Sequence, residues 1–162
     1  MATTATNKQP LLIDRVFHNA IQMNSLVSGS ASSLDIVGTN TSAPLVNCNS
    51  NDGAIVEDLY IISRTQTGTV YTALFYLSSA TDYLRPEEAV YVGSLESSNT
   101  PGVSTSAPDL PKILAPVPRV GTEPQLRAFY VPKGKTLWVT LQGGSSPNSN
   151  DAPIVGAQGG FY

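Results

Sequence analysis

In residues 70–77, Val-Tyr-Thr-Ala-Leu-Phe-Tyr-Leu, the side chains Tyr71, Ala73, Phe75 and Leu77 alternate with Val70, Thr72, Leu74 and Tyr76. A period of two is the spacing of a β-strand, whose successive side chains point to opposite faces. One face of this strand is strongly apolar and the other mixed, which suits the interior of a β-sandwich. The same period returns in Leu126, Ala128 and Tyr130, and again in Leu137, Val139 and Leu141. Charged residues make up only 13% of the 162-residue chain, and Ser, Thr, Asn, Gly and Pro fill the difference. That balance favours strands and turns, because solvent-facing helices draw on Glu, Lys, Arg, Gln and Ala.

The chain has the length of one domain. Residues 1–9 are small and polar and read as a flexible N-terminal arm, followed by one sandwich domain over residues 10–162. "PLLIDRVFHNAI" fits a strand with Leu11, Ile13 and Phe17 on one face, although its spacing also permits a short helix. Brief apolar islands at 34–37 and 45–46 suit short edge strands within a Ser/Asn/Thr-rich stretch.

Two β-rich runs flank Gln66-Thr67-Gly68-Thr69 and are expected to form a hairpin. Pro86 then opposes a continuous strand, and Gly93 in "AVYVGSLE" marks a bulge. "FYVPKGKTLWVTL" reads as a hairpin corner, with Pro132 presetting φ for the first turn position and Gly134 taking the left-handed conformation that closes a type I turn with a G1 bulge. Trp138 faces away from Leu137 and Val139, so it either caps a second packed layer or stands at a contact surface. "APIVGAQGGFY" supplies a last strand. Seven or eight short strands separated by turns point to a single-domain, all-β antiparallel sandwich or jelly roll.

Residues 97–124 hold six prolines among Ser, Thr and Gly, which forbid a regular helix and a central strand. This long Pro/Ser-rich loop either crosses its own domain or lies along a neighbouring chain, with "KILAPVPRV" as the adhesive part.

No catalytic signature accompanies this framework, and no enzyme activity is expected. His18 is the sole histidine, and no Gly-x-Ser-x-Gly elbow or Cys-His arrangement is present. Glu57-Asp58 and Glu87-Glu88 are adjacent, and strand neighbours point to opposite faces. Asn47, Asn49 and Asn51 faintly imitate a calcium loop, but Asp52 stands where that pattern needs Gly, so an Asx-rich turn is the better reading. Neither a metal nor a cofactor is expected. A net charge of −3 gives no electrostatic motive for binding nucleic acid or an anionic membrane. Cys48 is the single cysteine, so no internal disulfide forms. With neither a signal-peptide pattern nor a long apolar run, synthesis and folding in a cytoplasm are expected.

"EDLYIISRTQTGTVYTALFYLSS", "RAFYVPKGKTLWVTLQ" and the terminal "IVGAQGGFY" together resemble the small virion proteins of tailed bacteriophages, in particular head decoration, or cement, proteins. The resemblance lies in strand grammar, the "VPxGxxLxV" corner and the aromatic end after Gly-Gly. It implies a β-sandwich on the outside of the capsid, assembled as a homo-oligomer with a trimer favoured, that binds the major capsid protein and stiffens the shell. Contact residues expected on this view are Lys8, Leu11 and Leu12 in the arm, Trp138, and Phe161 and Tyr162, with Gly159-Gly160 as a hinge that turns the two rings outward. The alternative is a fibre or adhesin head that binds host carbohydrate through Trp138 and the Asn-rich loops.

Overall fold

A computed structural model describes residues 13–24, 42–64, 70–82, 84, 88–106, 129–143, 147 and 152–162. Expectations for the N-terminal arm, with Lys8, Leu11 and Leu12, for the island at 34–37, for the turn at 66–69, and for the Pro-rich residues 107–128 lie outside the described residues.

The described residues form nine strands: β1 (Arg15–Gln22), β2 (Ser42–Asn47), β3 (Gly53–Ile62), β4 (Tyr71–Ser78), β5 (Val90–Glu96), β6 (Ser104–Ser106), β7 (Phe129–Pro132), β8 (Thr136–Gly143) and β9 (Ile154–Phe161). The described residues contain no α-helix. The first sheet runs β1-β9-β3-β6, with β7 also on β3, and the second runs β2-β8-β4-β5. All pairings are antiparallel. The two sheets pack face to face as a β-sandwich around one core, to which the first contributes Val56, Leu59, Ile61 and Phe129 and the second Phe75, Leu137, Val139 and Leu141. The pairings nest: β4 with β5, β3 with β6 and β7, β2 with β8, β1 with β9.

The alternation of β4 is as expected: Tyr71, Ala73 and Phe75 enter the main core and Leu77 packs against it, while Leu74 and Tyr76 face the other way. That other face is also buried. Ala80, Leu84 and Trp138 join Leu74 and Tyr76 in a second apolar cluster on the outer side of the second sheet. The Leu84 amide donates to Ser42 Oγ at 3.4 Å, which ties the segment after β4 across the sheet.

Two expected hairpins need correction. β3 and β4 are strands, but β3 pairs with β6, β7 and β9 in one sheet and β4 with β5 and β8 in the other. Likewise β7 pairs with β3 and β8 with β2 and β4, so "VPKGK" is an arch between layers. Gly134 takes the left-handed conformation expected of it, with φ 72°, but the turn is another type: Lys135 N–H donates to Pro132 O at 3.1 Å. Pro132 therefore opens the turn and does not occupy its first central position, and the positive φ two residues on is what a type II turn requires in place of the expected type I turn with a G1 bulge. Two bonds at 3.0 Å, from Cys48 N–H to Lys135 O and from Gly134 N–H to Cys48 O, hold the arch over the end of β2. A turn of this kind sets chain direction locally, whereas the layer each arm joins is decided by distant partners.

Of the two readings of "PLLIDRVFHNAI", the strand holds for its described residues from Arg15 onward. Ile13 lies over Gly160 on the outer face, however, and Phe17 packs inward against the core, so these two do not share a face. The bulge expected at Gly93 is present, since the β4–β5 register shifts between the pairs Phe75↔Gly93 and Tyr76↔Tyr91. Within the Pro/Ser-rich loop, residues 104–106 form the short edge strand β6.

β9 fills the centre of the first sheet, between β1 and β3, and its glycines are positions of close approach. A Cβ on Gly159 would come 1.9 Å from Ile55 O, a backbone atom of β3 with little freedom to yield. At Gly156 the same atom would collide with the Tyr60 ring at 2.1 Å. The expected outward hinge at Gly159-Gly160 is therefore corrected: both residues are paired within β9, and Phe161 is the last residue of that strand. Gly159→Ala is expected to cost about 3 kcal/mol or more in urea unfolding, since overpacking against main chain typically costs 1–3 kcal/mol. Gly102→Ala, where φ is 77° but no atom lies within 4 Å, should cost only about 1–2 kcal/mol.

Candidate functional site

Among the described residues, the expected contacts Trp138, Phe161 and Tyr162 do not form one surface. Trp138 is 1% exposed and belongs to the second cluster, directly paired with Tyr76 across β8 and β4. Of its two readings, the packed second layer holds, and the indole presents no contact surface. Its Nε1 is buried with no hydrogen-bond partner among the described residues, and the buried Tyr76 hydroxyl lies beside the Thr140 side chain. Phe161 is 7% exposed, with its ring centroid 4.7 Å from that of Phe17 and the Arg15 guanidinium 5.0 Å above it. Tyr162 is half-buried and tethered by its main chain, its N–H donating to Gly53 O at 3.1 Å and its carbonyl accepting from Asp52 N–H at 3.4 Å. Its ring lies 5.8 Å from that of Tyr130. Burial raises the Tyr162 hydroxyl pKa, and the neighbouring Tyr130 adds to this.

His18 stands exposed on the outer face of the first sheet, where its Nε2 is hydrogen-bonded to the Tyr60 hydroxyl. Asp58 shares that face. Desolvation raises its carboxyl pKa against an opposing hydrogen bond from the Leu59 amide. Tyr60 is raised as well, first by desolvation and then by Asp58. The register His18↔Gln158↔Asp58 separates the histidine and the carboxylate by two strand spacings, roughly 10 Å. That is too far for a base and its orienting carboxylate to touch.

Among the described residues a concavity opens between β1, at the edge of the first sheet, and β2, at the edge of the second. It is an open cleft of about 650 Å³. Arg15, Phe17 and Asn19 form one wall, Pro44, Leu45 and Asn47 the other, and Phe161 reaches it from β9. The loop residues Asn49, Ser50 and Asn51 complete the rim. The two walls are braced by Asn19 Nδ2, which donates to Leu45 O at 2.8 Å. Leu45 is the residue skipped in the β2–β8 register between Pro44 and Val46, so the bulge leaves its carbonyl available to this amide.

The Asn-rich stretch is an Asx turn: Asn47 Oδ1 accepts from Asn49 N–H at 2.9 Å, and Asn51 Nδ2 reaches Asn47 O at 3.5 Å. Asp52 pairs instead with Lys133 at 2.6 Å, and this contact lowers the Asp52 pKa and raises that of Lys133. The described residues contain no group of three or more His, Cys, Asp or Glu side chains placed to hold a metal. The Asn-rich loop was legible in the sequence as a turn. Its apposition to Arg15, Phe17 and Phe161 was not, because it depends on β1 pairing with β9 across almost the whole chain. No family model, curated protein or solved structure matches the chain.

Two substitutions check these placements. Trp138→Ala should destabilise the fold by about 3–5 kcal/mol in denaturant unfolding, the loss expected for a buried aromatic. Cys48 is fully buried, and desolvation pushes its thiol from 9.0 up to about 11. An acid whose folded pKa is raised stabilises the fold fully below its unfolded pKa, and this contribution is lost as pH rises towards the folded value. Between pH 9 and about 11 the parent should therefore lose stability more steeply than Cys48→Ala, with the two slopes alike below pH 8.5.

Proposed function

We propose that this chain is a structural virion protein, a capsid decoration protein of jelly-roll type that binds the outside of a bacteriophage shell as a homotrimer and reinforces it. The nested pairing supports this reading, since an eight- to nine-strand ribbon wound into two sheets is the plan of jelly rolls, an architecture used by viral capsid and lectin domains. The observation that carries it is the condition of the sheet edges. β2 has Pro44 and a bulge, β5 has the bulge at Gly93, β6 is three residues long, and β7 is four residues ending in Pro132. Devices of this kind keep edges from pairing with other chains.

β1 has none of them. It runs eight residues in unbroken register with β9, contains no proline or lysine, and exposes Val16 at 77%. Met23 N–H donates to Pro153 O at 3.0 Å, in step with the pair Ile21↔Val155. By the alternation of an antiparallel ladder, Phe17, Asn19 and Ile21 also bond to β9, while the N–H and C=O groups of Val16, His18 and Ala20 point to the free side. Among the described strands β1 pairs with β9 alone. An edge of this kind suits an added strand from a sister or coat subunit. A head-to-tail contact of each β1 with the next chain gives a closed trimer where successive rotations return on themselves.

The test is Ala20→Pro, which removes an outward N–H and leaves the β9 ladder bonds in place. The parent should sediment with empty capsids and scatter light as a trimer, and Ala20→Pro should lose both behaviours with little change in melting temperature. A parent that stays monomeric and leaves capsids bare at high micromolar concentration overturns the proposal.

A further inference from the structure

The β1–β2 cleft combines features that a capsid-binding edge does not use. Its lining carries one formal charge, the Arg15 guanidinium, and no carboxylate. Around that charge stand the amides of Asn19, Asn47, Asn49 and Asn51, and the two apolar rings of Phe17 and Phe161 lie alongside. Its volume of about 650 Å³ falls within the range of small-molecule sites, roughly 300–1,000 Å³.

The hydrogen-bonding inventory is only partly spent. Asn19 uses Nδ2 on Leu45 O, Asn47 uses Oδ1 on the Asn49 amide, and Asn51 uses Nδ2 on Asn47 O. The Asn49 side chain has no partner among the described residues. Each of these residues therefore retains a donor, an acceptor or both for a ligand. The Arg15 guanidinium carbon lies 5.0 Å from the centroid of the Phe161 ring. A cation held over a ring spends no N–H hydrogen bond on a carboxylate or carbonyl there, so the guanidinium donors stay available to an anion.

We infer that the cleft is a binding site for an acidic oligosaccharide. A sugar ring offers an apolar C–H face and a rim of hydroxyls that both donate and accept, which matches an aromatic ring flanked by neutral amides. A hexuronic or sialic-type residue adds a carboxylate, for which the Arg15 fork is the complement. The site binds and does not cleave, because glycoside hydrolysis by the common route needs a pair of carboxylates and the lining has none. The inference stands apart from the capsid proposal, since it rests on inward side chains of β1 and not on its free edge.

The test is a titration of the full chain with an oligogalacturonate, beside a neutral glucose oligosaccharide of equal length and sodium acetate. The acidic sugar should bind saturably and about tenfold more tightly than the neutral one, the size of effect expected of one charge-assisted pair. Acetate at the same concentration should not compete. Arg15→Gln should erase the difference between the two sugars, and Asn49→Ala should weaken both, with the Asx turn intact because it uses the Asn47 side chain. Matching melting curves will show both variants folded. The inference is overturned by absence of saturable binding, by equal binding of the acidic and neutral sugars, by variants that bind like the parent, or by acetate displacing the sugar.

Discussion

The contact on which the first sheet depends is the approach of β9 to β3 at Gly159, where even a methyl group would meet the Ile55 carbonyl. β9 is a central strand, with β1 on one side and β3 on the other, so this approach decides whether the sheet closes. Gly156 extends the same condition to the outer face, because the Tyr60 ring lies where its side chain would be. Tyr60 then meets His18 from β1, joining all three strands of the sheet centre on one face. The bare backbone of β9 thus positions β1, and β1 supplies both the free edge and one wall of the cleft.

The second sheet depends on burial of both its faces. Residues 71–77 keep an apolar set inward and send Leu74 and Tyr76 outward, where Trp138 and Leu84 meet them. A strand apolar on both sides belongs in the middle of a sheet with layers above and below. β4 holds that place between β8 and β5. The arrangement makes Trp138 a structural residue, with its indole N–H buried and without a partner among the described residues.

What could be read from the residues was local. The strand period of β4, the left-handed Gly134 and the bulge at Gly93 each follow from a few neighbouring side chains, and each is present. The two hairpins were misjudged because a turn fixes the direction of the chain and not its layer: β8 leaves β7 for β2 and β4, which lie tens of residues earlier. Gly159-Gly160 suggested a hinge because backbone freedom is the property of glycine visible in a sequence. Their role is set by Ile55 and Ile13, more than a hundred residues away. Of the residues singled out for contact, Phe161 does reach the cleft, yet as part of its lining beneath Arg15 and not as a ring turned outward.

Strand geometry also relates the two proposals, which meet on β1. The in-plane groups of Val16, His18 and Ala20 face away from β9 and pair with no other described strand, whereas the side chains of Arg15, Phe17 and Asn19 turn inward towards the cleft. An added strand would lie about 4.8 Å beyond β1, and its own inward side chains would stand in line with Phe17 and Asn19. Those side chains would become a new wall at the mouth of the cleft. Assembly at the edge and recognition in the cleft are therefore separate in their chemistry but coupled in space, and the coupling takes its sign from the side chains the added strand brings. A strand with small polar residues would deepen the site, and one with bulky apolar residues would close it. Sugar affinity in the assembled and isolated forms would differ accordingly, through the one strand that belongs to both surfaces.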